Sequence, residues 1–179
     1  MWQLSVSANC TIQWGTDTTY SSGSAETSED NPTNHIHKSL LTTPTEATKY
    51  YDKVLVGTTP FVGSFMSKLN QNAENFNFIV YGDTRSTPSN HNIIADQILK
   101  TIAIDSTFHT ILFHVGDAVS EGDNESYWDS QFFSASYPKI RELYANMRCV
   151  IVRGNHERTG AIFGKYFPIS SGTFYRSFD

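Results

Sequence analysis

The sequence has few cysteines, no excess of basic residues and no long apolar run. Its two cysteines, Cys10 and Cys149, lie far apart, and we interpret them as buried thiols rather than as a disulfide. A formal net charge of −5 gives no sign of the basic patch that nucleic acids or membrane surfaces attract. No segment approaches the ~20 continuous apolar residues of a membrane span, and no signal peptide is visible in the first residues. What is present is a chain of 179 residues with ordinary hydrophobic content, long enough to bury a core.

Residues 1–72 are rich in Ser, Thr and Asn and contain short runs in which apolar and polar residues alternate. Such runs, separated by turn residues and without helical periodicity, predict a small antiparallel β-sandwich, which we expect to be incomplete. The expected strands are Thr11–Trp14, 35–41, 49–57 and 63–67, with residues 1–4 as part of a further strand. We expect residues 20–34 to form an exposed loop and residues 69–75 to link this sandwich to the rest of the chain.

From residue 76 onward the pattern changes to strands alternating with helices. Apolar β-branched runs predict three strands, which end near residues 81, 115 and 152. Helical spacing of apolar residues predicts a helix after Asn90, which is a plausible N-cap, and another around Trp128. A further helix is expected to begin at Pro138. This alternation predicts the βαβαβ arrangement of a parallel sheet over residues 76–179.

Each of the three predicted strands is followed by glycine and then by a polar side chain. The three sites are Gly82-Asp83, Gly116-Asp117 and Gly154-Asn155-His156-Glu157. Because ligands bind at the carboxyl ends of strands in open α/β sheets, Asp83, Asp117 and Asn155 are expected to lie near one another. Carboxylate and amide oxygens with a nearby histidine suit divalent cations. Two such cations about 3.5–4 Å apart would suit hydrolysis of a phosphate ester by an activated water.

These residues resemble the first three motifs of the calcineurin-like metallophosphoesterases. The matching residues are Gly82-Asp83-Thr84-Arg85, Gly116-Asp117 with Gly122-Asp123, and Gly154-Asn155-His156-Glu157, in the same order along the chain. The predicted sandwich is similar to the fibronectin-like N-terminal domain of purple acid phosphatases and their bacterial relatives. The resemblance implies a multidomain protein: residues 1–72 would form a partial fibronectin type III-like sandwich. Residues 76–179 would form the first half of a phosphoesterase domain.

The resemblance also implies a role for each site residue in a centre of two metal ions, which could be Fe, Mn or Zn. Asp83 would bind the first metal, Asp117 would bridge both, and Asn155 would bind the second. His156 would orient the substrate or protonate the leaving group. The implied activity is metal-dependent hydrolysis of a phosphate ester, with the substrate itself left open.

The first motif departs from the family pattern at Arg85, where many members carry a histidine ligand. A guanidinium does not bind a cation, so we expect Arg85 to contact a phosphoryl oxygen of the substrate. His91 is a candidate for the missing ligand, and it could equally be a residue of the helix start.

The remaining polar residues have simpler interpretations. Asp123 is expected to form a turn or cap, Arg158 to be solvated and His114 to be a core histidine. His35 and His37 are expected to be structural, because no third ligand accompanies them.

Both ends of the sequence suggest a fragment, since the terminal runs read as strands without flanking turns. The family's later motifs, which supply further histidine ligands, are not found in these residues. We therefore expect little or no turnover from the chain by itself. The alternative is a non-catalytic surface or binding protein with a degenerate phosphoesterase domain. By analogy with relatives that carry such a sandwich, the location would be extracellular or periplasmic, and the oligomeric state stays open.

Overall fold

The chain is described by a computed structural model, which covers residues 1–31, 35–41, 44–74, 77–104 and 110–167. It divides into two compact units, Met1–Glu74 and Asn75–Asp179. The first contains antiparallel sheets and the second a parallel sheet with helices, so the expected mixture of the two fold classes is confirmed. The likeness of the first unit to a fibronectin domain stays a prediction. The terminal strand expected after residue 171 lies outside the described residues.

The first unit contains two antiparallel sheets. Their strands are β1 Trp2–Gln3, β2 Cys10–Gly15, β3 Gly23–Thr27, β4 Glu29–Asn31, β5 Ile36–His37, β6 Lys49–Val56 and β7 Thr59–Met66. The larger sheet has the strand order β3-β2-β6-β7, and the smaller has the order β1-β5-β4. A core formed by Cys10, Ile12 and Val54 is covered by Trp2 and Leu4, so the sheets bury a common apolar layer.

The prediction that residues 20–34 form an exposed loop is wrong for Gly23–Thr27 and Glu29–Asn31, which are strands, and residues 32–34 lie outside the described residues. Gly23–Thr27 pairs with β2 in register from Cys10 opposite Thr27 to Trp14 opposite Gly23, and Glu29–Asn31 pairs with β5. The Ser, Gly, Ala and Glu residues of this segment have low strand propensity. Pairing with the neighbouring strand therefore determines its structure, as is common in sheets.

The two histidines of the first unit have separate partners. The His35 ring lies 2.9 Å from Glu29 Oε1. His37 is fully buried and stacks on Trp2, with ring centroids 5.5 Å apart. These contacts agree with a structural role for both histidines.

The second unit has a three-stranded parallel sheet of order β10-β9-β8, which confirms the predicted alternation of strands and helices. Its elements are β8 Asn77–Tyr81, α1 Pro88–Ile104, β9 Thr110–His114, α2 Glu125–Tyr127, a π-helical turn Trp128–Phe132, α3 Pro138–Asn146, β10 Arg148–Ile151 and α4 Ala161–Tyr166. Helices α1 and α3 pack on the sheet through a core of Ala95, Ile98, Leu112, Ile140 and Leu143.

Three local expectations have defined outcomes here. Asn90 does not cap α1, because the helix begins at Pro88, whose fixed φ suits the first helical position. Both cysteines are free thiols as expected, and burial raises the pKa of Cys149 to about 12. Among the described residues, none of the helices is long and apolar enough to span a bilayer.

Candidate functional site

The three parallel strands end level with one another. Tyr81 of β8 and Ile151 of β10 both lie opposite His114 of β9 in the sheet register. The segments that follow are therefore neighbours, and we call them loop 1 (82–87), loop 2 (115–124) and loop 3 (152–160). Hydrogen bonds between backbones continue past the strand ends, from Asp83 N–H to the carbonyl of Gly116 at 2.9 Å and from Val152 N–H to that of His114 at 2.9 Å.

The glycines of loops 2 and 3 allow these backbones to meet. A Cβ placed on Gly116 would lie 2.5 Å from the backbone nitrogen of Gly154, and Gly116 also has a φ of +93°. A Cβ on Gly154 would lie 2.2 Å from Asp117 Oδ1. Such distances are too short for any side chain, so glycine is required at both positions by close approach.

Both aspartates that follow the first two glycines have left-handed backbone conformations. The φ angle is 54° at Asp83 and 56° at Asp117. Positive φ is uncommon outside glycine, and aspartate tolerates it better than most residues because its short polar side chain can bond locally. Residues held in sparsely populated conformations cluster at functional sites, so the same strain at two predicted ligands supports a functional role for this edge.

Arg85 lies between the two aspartates. Its Nε atom is 3.0 Å from Asp83 Oδ1 and 3.4 Å from Asp117 Oδ2. One oxygen of each carboxylate therefore lies close to the same nitrogen atom of Arg85. In this structure Arg85 bridges the two predicted ligands, and its expected contact with substrate stays a prediction.

His156 is fixed at its backbone and at its ring. Its backbone N–H donates to Asp117 Oδ1 at 2.9 Å, and its Nδ1 lies 2.8 Å from the carbonyl oxygen of Ser120. Because a carbonyl only accepts, Nδ1 carries the proton and the neutral ring presents the lone pair of Nε2. Ser120 is itself held by Gln131 of the π-helical turn, whose Oε1 accepts the Ser120 N–H at 2.8 Å. Gln131 Nε2 donates to Ser120 Oγ at 3.1 Å.

The Glu157 side chain joins loop 2 to loop 3 from the interior of the second unit. The side chain is fully buried, and its Oε1 accepts the N–H of Ala118 at 2.7 Å. Its Oε2 accepts the N–H of Asp117 at 3.0 Å and that of Gly154 at 2.6 Å. A buried charge is tolerated only when hydrogen bonds satisfy it, and three backbone donors do so here. Sequence reasoning placed Glu157 in the third motif but gave it no such structural role.

The outer parts of loops 2 and 3 are joined by exposed side chains. Asp123 was expected to form a turn or cap; its carboxylate accepts the Thr159 hydroxyl at 2.6 Å and the Thr159 N–H at 3.3 Å, and so links loop 2 to loop 3. Arg158 donates to both oxygens of Glu121, at 2.8 and 3.0 Å. Arg158 was expected to be solvated; it is exposed but held in an ion pair.

Behind the loops lies a buried polar cluster of Tyr81, His91, His114 and Tyr144, together with Thr84 of loop 1. The Tyr81 hydroxyl lies 3.0 Å from His91 Nε2 and 2.7 Å from the Tyr144 hydroxyl. His114 Nδ1 accepts the N–H of Gly116 at 3.3 Å, so its Nε2 donates to the Thr84 hydroxyl at 3.0 Å. His114 is fully buried, which confirms its prediction as a core histidine.

Burial keeps both histidines of this cluster neutral at neutral pH. Desolvation lowers the pKa of His91 to about 4. The pKa of His114 falls to about 3, chiefly through desolvation and further through the nearby His91. Among the described contacts of His91, none joins it to Asp83 or Asp117, and its position in the first turn of α1 agrees with the alternative of a helix-start residue. A metal-binding role for His91 stays a prediction without support from its contacts.

The site residues expected from sequence are therefore brought together in part. Asp83, Arg85, Asp117 and His156 form one connected group, whereas Asn155 is exposed at loop 3. Carboxylate oxygens and an imidazole nitrogen are suitable donors for a divalent metal. Across the described ranges, however, no group of three or more His, Cys, Asp or Glu side chains is arranged to hold a metal ion. The donor types fit a metal, while the full donor set is not assembled in these residues.

Comparison with known proteins identifies a likeness of fold. No family model matches the sequence, and no curated protein matches it either. A solved structure described as "Structure of PhoD" matches with a TM-score of 0.53 at 14% sequence identity. The match covers 86% of this chain and 33% of the PhoD chain, so this chain spans about a third of the length of that protein. At this identity the match shows a related fold and leaves the site residues untested.

Proposed function

We propose that this protein is a metal-dependent phosphoester hydrolase whose site lies where loops 1, 2 and 3 meet. One observation carries the proposal: Asp83 and Asp117, both with left-handed backbones, contact one cationic side chain, and Asp117 is hydrogen-bonded to His156. The fold likeness to PhoD supports a phosphoesterase type of fold at a coarse level. The dinuclear centre and the role of each residue are our proposal.

Asp83, Asp117 and Asn155 would hold two metal ions, such as Fe, Mn or Zn, with Asp117 shared between them. The ions would supply an activated water and would neutralise charge on the phosphoryl oxygens. The Asp117 carboxylate is well placed for a fixed role, because its Oδ1 is held by His156 N–H and its own N–H is held by Glu157. Asp83 is more open, with a side chain that is 71% exposed.

His156 and Arg85 would act on the substrate. In the neutral tautomer set by Ser120, His156 Nε2 can accept a hydrogen bond, and on protonation it can give a proton to a leaving oxygen. The Ser120 carbonyl stays bonded to Nδ1–H in both states, so the ring keeps its orientation. Arg85 would offer its guanidinium to the phosphoryl oxygens, a group for which a planar fork of donors is suited. The partner would be a phosphate ester, and we propose an extracellular or periplasmic location.

The test is hydrolysis of an aryl phosphate in the presence of Mn, Fe or Zn, with the protein at the full length that its gene encodes. Asp117→Asn should lower turnover at least a hundredfold, because it removes the charge of the shared ligand. Asp123→Asn is the matched control, since that carboxylate bonds Thr159 and is exposed. An enzyme that needs no metal, or one that is unaffected by Asp117→Asn, would refute the proposal.

One observation favours a second function, that of a non-catalytic binding protein. Arg85 occupies the gap between the two carboxylates, as expected of a site that has lost its metals. In that case Asp83→Asn and Asp117→Asn would leave binding of a partner unchanged, and no metal would bind the full-length protein. Histidine-rich motifs of the form Gly-His and Gly-His-x-His elsewhere in the gene product would favour the enzyme.

A further inference from the structure

The π-helical turn Trp128–Phe132 provides two side chains that bond loop 2. The turn is closed by the N–H of Phe133, which donates to the carbonyl of Trp128 at 2.8 Å, a bond between residues five apart. Such turns are rare and occur frequently at functional sites, so the loop that this one contacts is a candidate for a functional role. Its first residue, Trp128, and its fourth, Gln131, are the two that reach loop 2.

Trp128 holds the backbone of His156 through Gly122. The Trp128 side chain is fully buried, and its Nε1–H donates to the carbonyl of Gly122 at 2.9 Å. The N–H of Gly122 donates in turn to the carbonyl of His156 at 2.8 Å. The His156 N–H is bonded to Asp117 Oδ1 at 2.9 Å, so both backbone groups of this residue have partners. The backbone position of His156 is thus fixed independently of its ring.

Gln131 acts on the ring of His156 through Ser120. The Gln131 Oε1 accepts the N–H of Ser120 at 2.8 Å, and its Nε2 donates to Ser120 Oγ at 3.1 Å. Because a backbone N–H only donates, the amide oxygen of Gln131 must face it, and the amide has one possible orientation. One side chain therefore bonds both the backbone and the hydroxyl of Ser120. The carbonyl of the same serine is directed at His156 Nδ1, 2.8 Å away.

The bond from Ser120 determines which nitrogen of the neutral His156 ring carries the proton. A carbonyl only accepts, so the proton is on Nδ1 and Nε2 keeps its lone pair. A free imidazole side chain instead favours the proton on Nε2. Loss of the directed carbonyl would therefore move the ring toward the opposite tautomer, in which Nε2 is a donor.

We propose that Gln131 is a positioning residue that, through Ser120, holds the neutral His156 ring with its proton on Nδ1. Trp128 fixes the backbone of His156, and Gln131 fixes the ring. Every contact from Gln131 to His156 is made by groups of the protein itself. The use of Nε2 on a phosphate ester rests on the proposed function, whereas the control of the ring by Gln131 does not depend on it.

The experiment compares Gln131→Met with Gln131→Glu by NMR of the ring nitrogens of isotope-labelled histidine in the full-length protein. The spectra are recorded without added metal at a pH of about 8, where an ordinary imidazole is neutral. Methionine keeps the length of the side chain but bonds neither group of Ser120, whereas glutamate keeps an acceptor for the Ser120 N–H. Gln97→Met is the matched control, since it makes the same change at an exposed position on α1.

We expect the unmodified protein, Gln131→Glu and Gln97→Met to show a His156 ring protonated at Nδ1. In Gln131→Met the ratio of the Nε2–H form to the Nδ1–H form should rise about tenfold, equivalent to about 1.4 kcal/mol, the order of one net hydrogen bond. A merely structural role of Gln131 would lower the midpoint of unfolding and leave this ratio unchanged, and it predicts no rescue of the tautomer by glutamate.

An unchanged ratio in Gln131→Met overturns the proposal. A His156 ring protonated at Nε2 in the unmodified protein overturns it as well. This second measurement needs no variant, so it decides the question even if Gln131→Met does not fold.

The activity of the same variants separates this inference from the proposed function. Gln131→Met should lower kcat for an aryl phosphate about tenfold with KM within about twofold, because general acid–base catalysis contributes about 10²–10⁴-fold and only the ring orientation is lost. A shifted tautomer in a protein that hydrolyses no phosphate ester keeps Gln131 as the positioning residue and refutes the hydrolase. An active hydrolase in which Gln131→Met changes neither the tautomer nor kcat does the reverse.

Discussion

Replacing Glu157 by glutamine should destabilise the second unit by about 2–4 kcal/mol. The Glu157 carboxylate is fully buried and accepts three backbone N–H groups, from Ala118 at 2.7 Å, Asp117 at 3.0 Å and Gly154 at 2.6 Å. These bonds join loop 2 to loop 3 through one buried side chain. The substitution keeps the shape of the side chain, so packing changes little and the effect falls on hydrogen bonding.

The magnitude follows from these bonds. A glutamine has one acceptor oxygen, and its NH₂ group would face at least one backbone N–H as a second donor. A hydrogen bond to a charged group contributes about 1.5–3 kcal/mol, and an unsatisfied buried N–H costs about 1–3 kcal/mol. Partial rearrangement offsets some of their sum. With a urea m-value of about 1.5 kcal/mol per molar, the midpoint of unfolding should fall by about 1.3–2.7 M.

The assay is urea unfolding followed by NMR at the backbone amides of loops 2 and 3, so that the second unit is observed by itself. Glu121→Gln is the control, because it makes the same change on the same loops at an exposed ion pair with Arg158. An exposed pair of this kind contributes about 0–1 kcal/mol. If Glu157→Gln shifts the midpoint no more than Glu121→Gln does, then Glu157 does not hold these loops together.

Two further predictions concern the backbone approach and the buried histidines. Gly154→Ala should cost about 1–3 kcal/mol of unfolding free energy by overpacking, since a Cβ there would lie 2.2 Å from Asp117 Oδ1. Gly164→Ala in α4, where an added Cβ would meet no atom within 4 Å outside the local backbone, should instead stabilise by about 0.5–1 kcal/mol, and equal effects in a denaturation assay would contradict the close approach. His91 has its pKa lowered from 6.5 to about 4, so the unfolded chain binds the proton first and stability falls as the pH drops from 6.5 toward 4. His91→Gln should therefore lose about 2 kcal/mol less than the unmodified protein between pH 7 and 5, and an identical pH profile of unfolding would rule this linkage out.

The sequence was informative where side-chain periodicity and glycine carry the signal. Apolar β-branched runs predicted β8, β9 and β10. The glycine and polar residue that follow each run predicted the edge of the sheet at which the polar side chains lie. Gly116 and Gly154 were identified as structurally required positions, because a glycine between a strand and a polar residue usually indicates a sharp turn or a close backbone contact. The structure supplies the reason, which is contact between the two loop backbones.

Where backbone groups decide the structure, the sequence was less informative. The residues of strand β3 predict a loop, because its ladder with β2 depends on N–H and C=O groups that every residue shares. The tautomer of His156 depends on the backbone carbonyl of Ser120. Because every residue has such a carbonyl, the residue type at position 120 could not predict that bond. The role of Glu157 could not be predicted either, since the residue type does not distinguish a carboxylate that binds a metal from one that accepts three backbone N–H groups.

Asp83 and Asp117 differ in their exposure and in the groups that fix their side chains. The Asp117 side chain is 15% exposed, and its position is set by bonds to Glu157 and His156 that the chain itself provides. The Asp83 side chain is 71% exposed, and its described side-chain contact is with Arg85, a group that can move. Cation binding should therefore leave the junction of loops 2 and 3 in place and reorder loop 1. Loop 1 is therefore the part of the proposed site that we expect to respond to a bound cation.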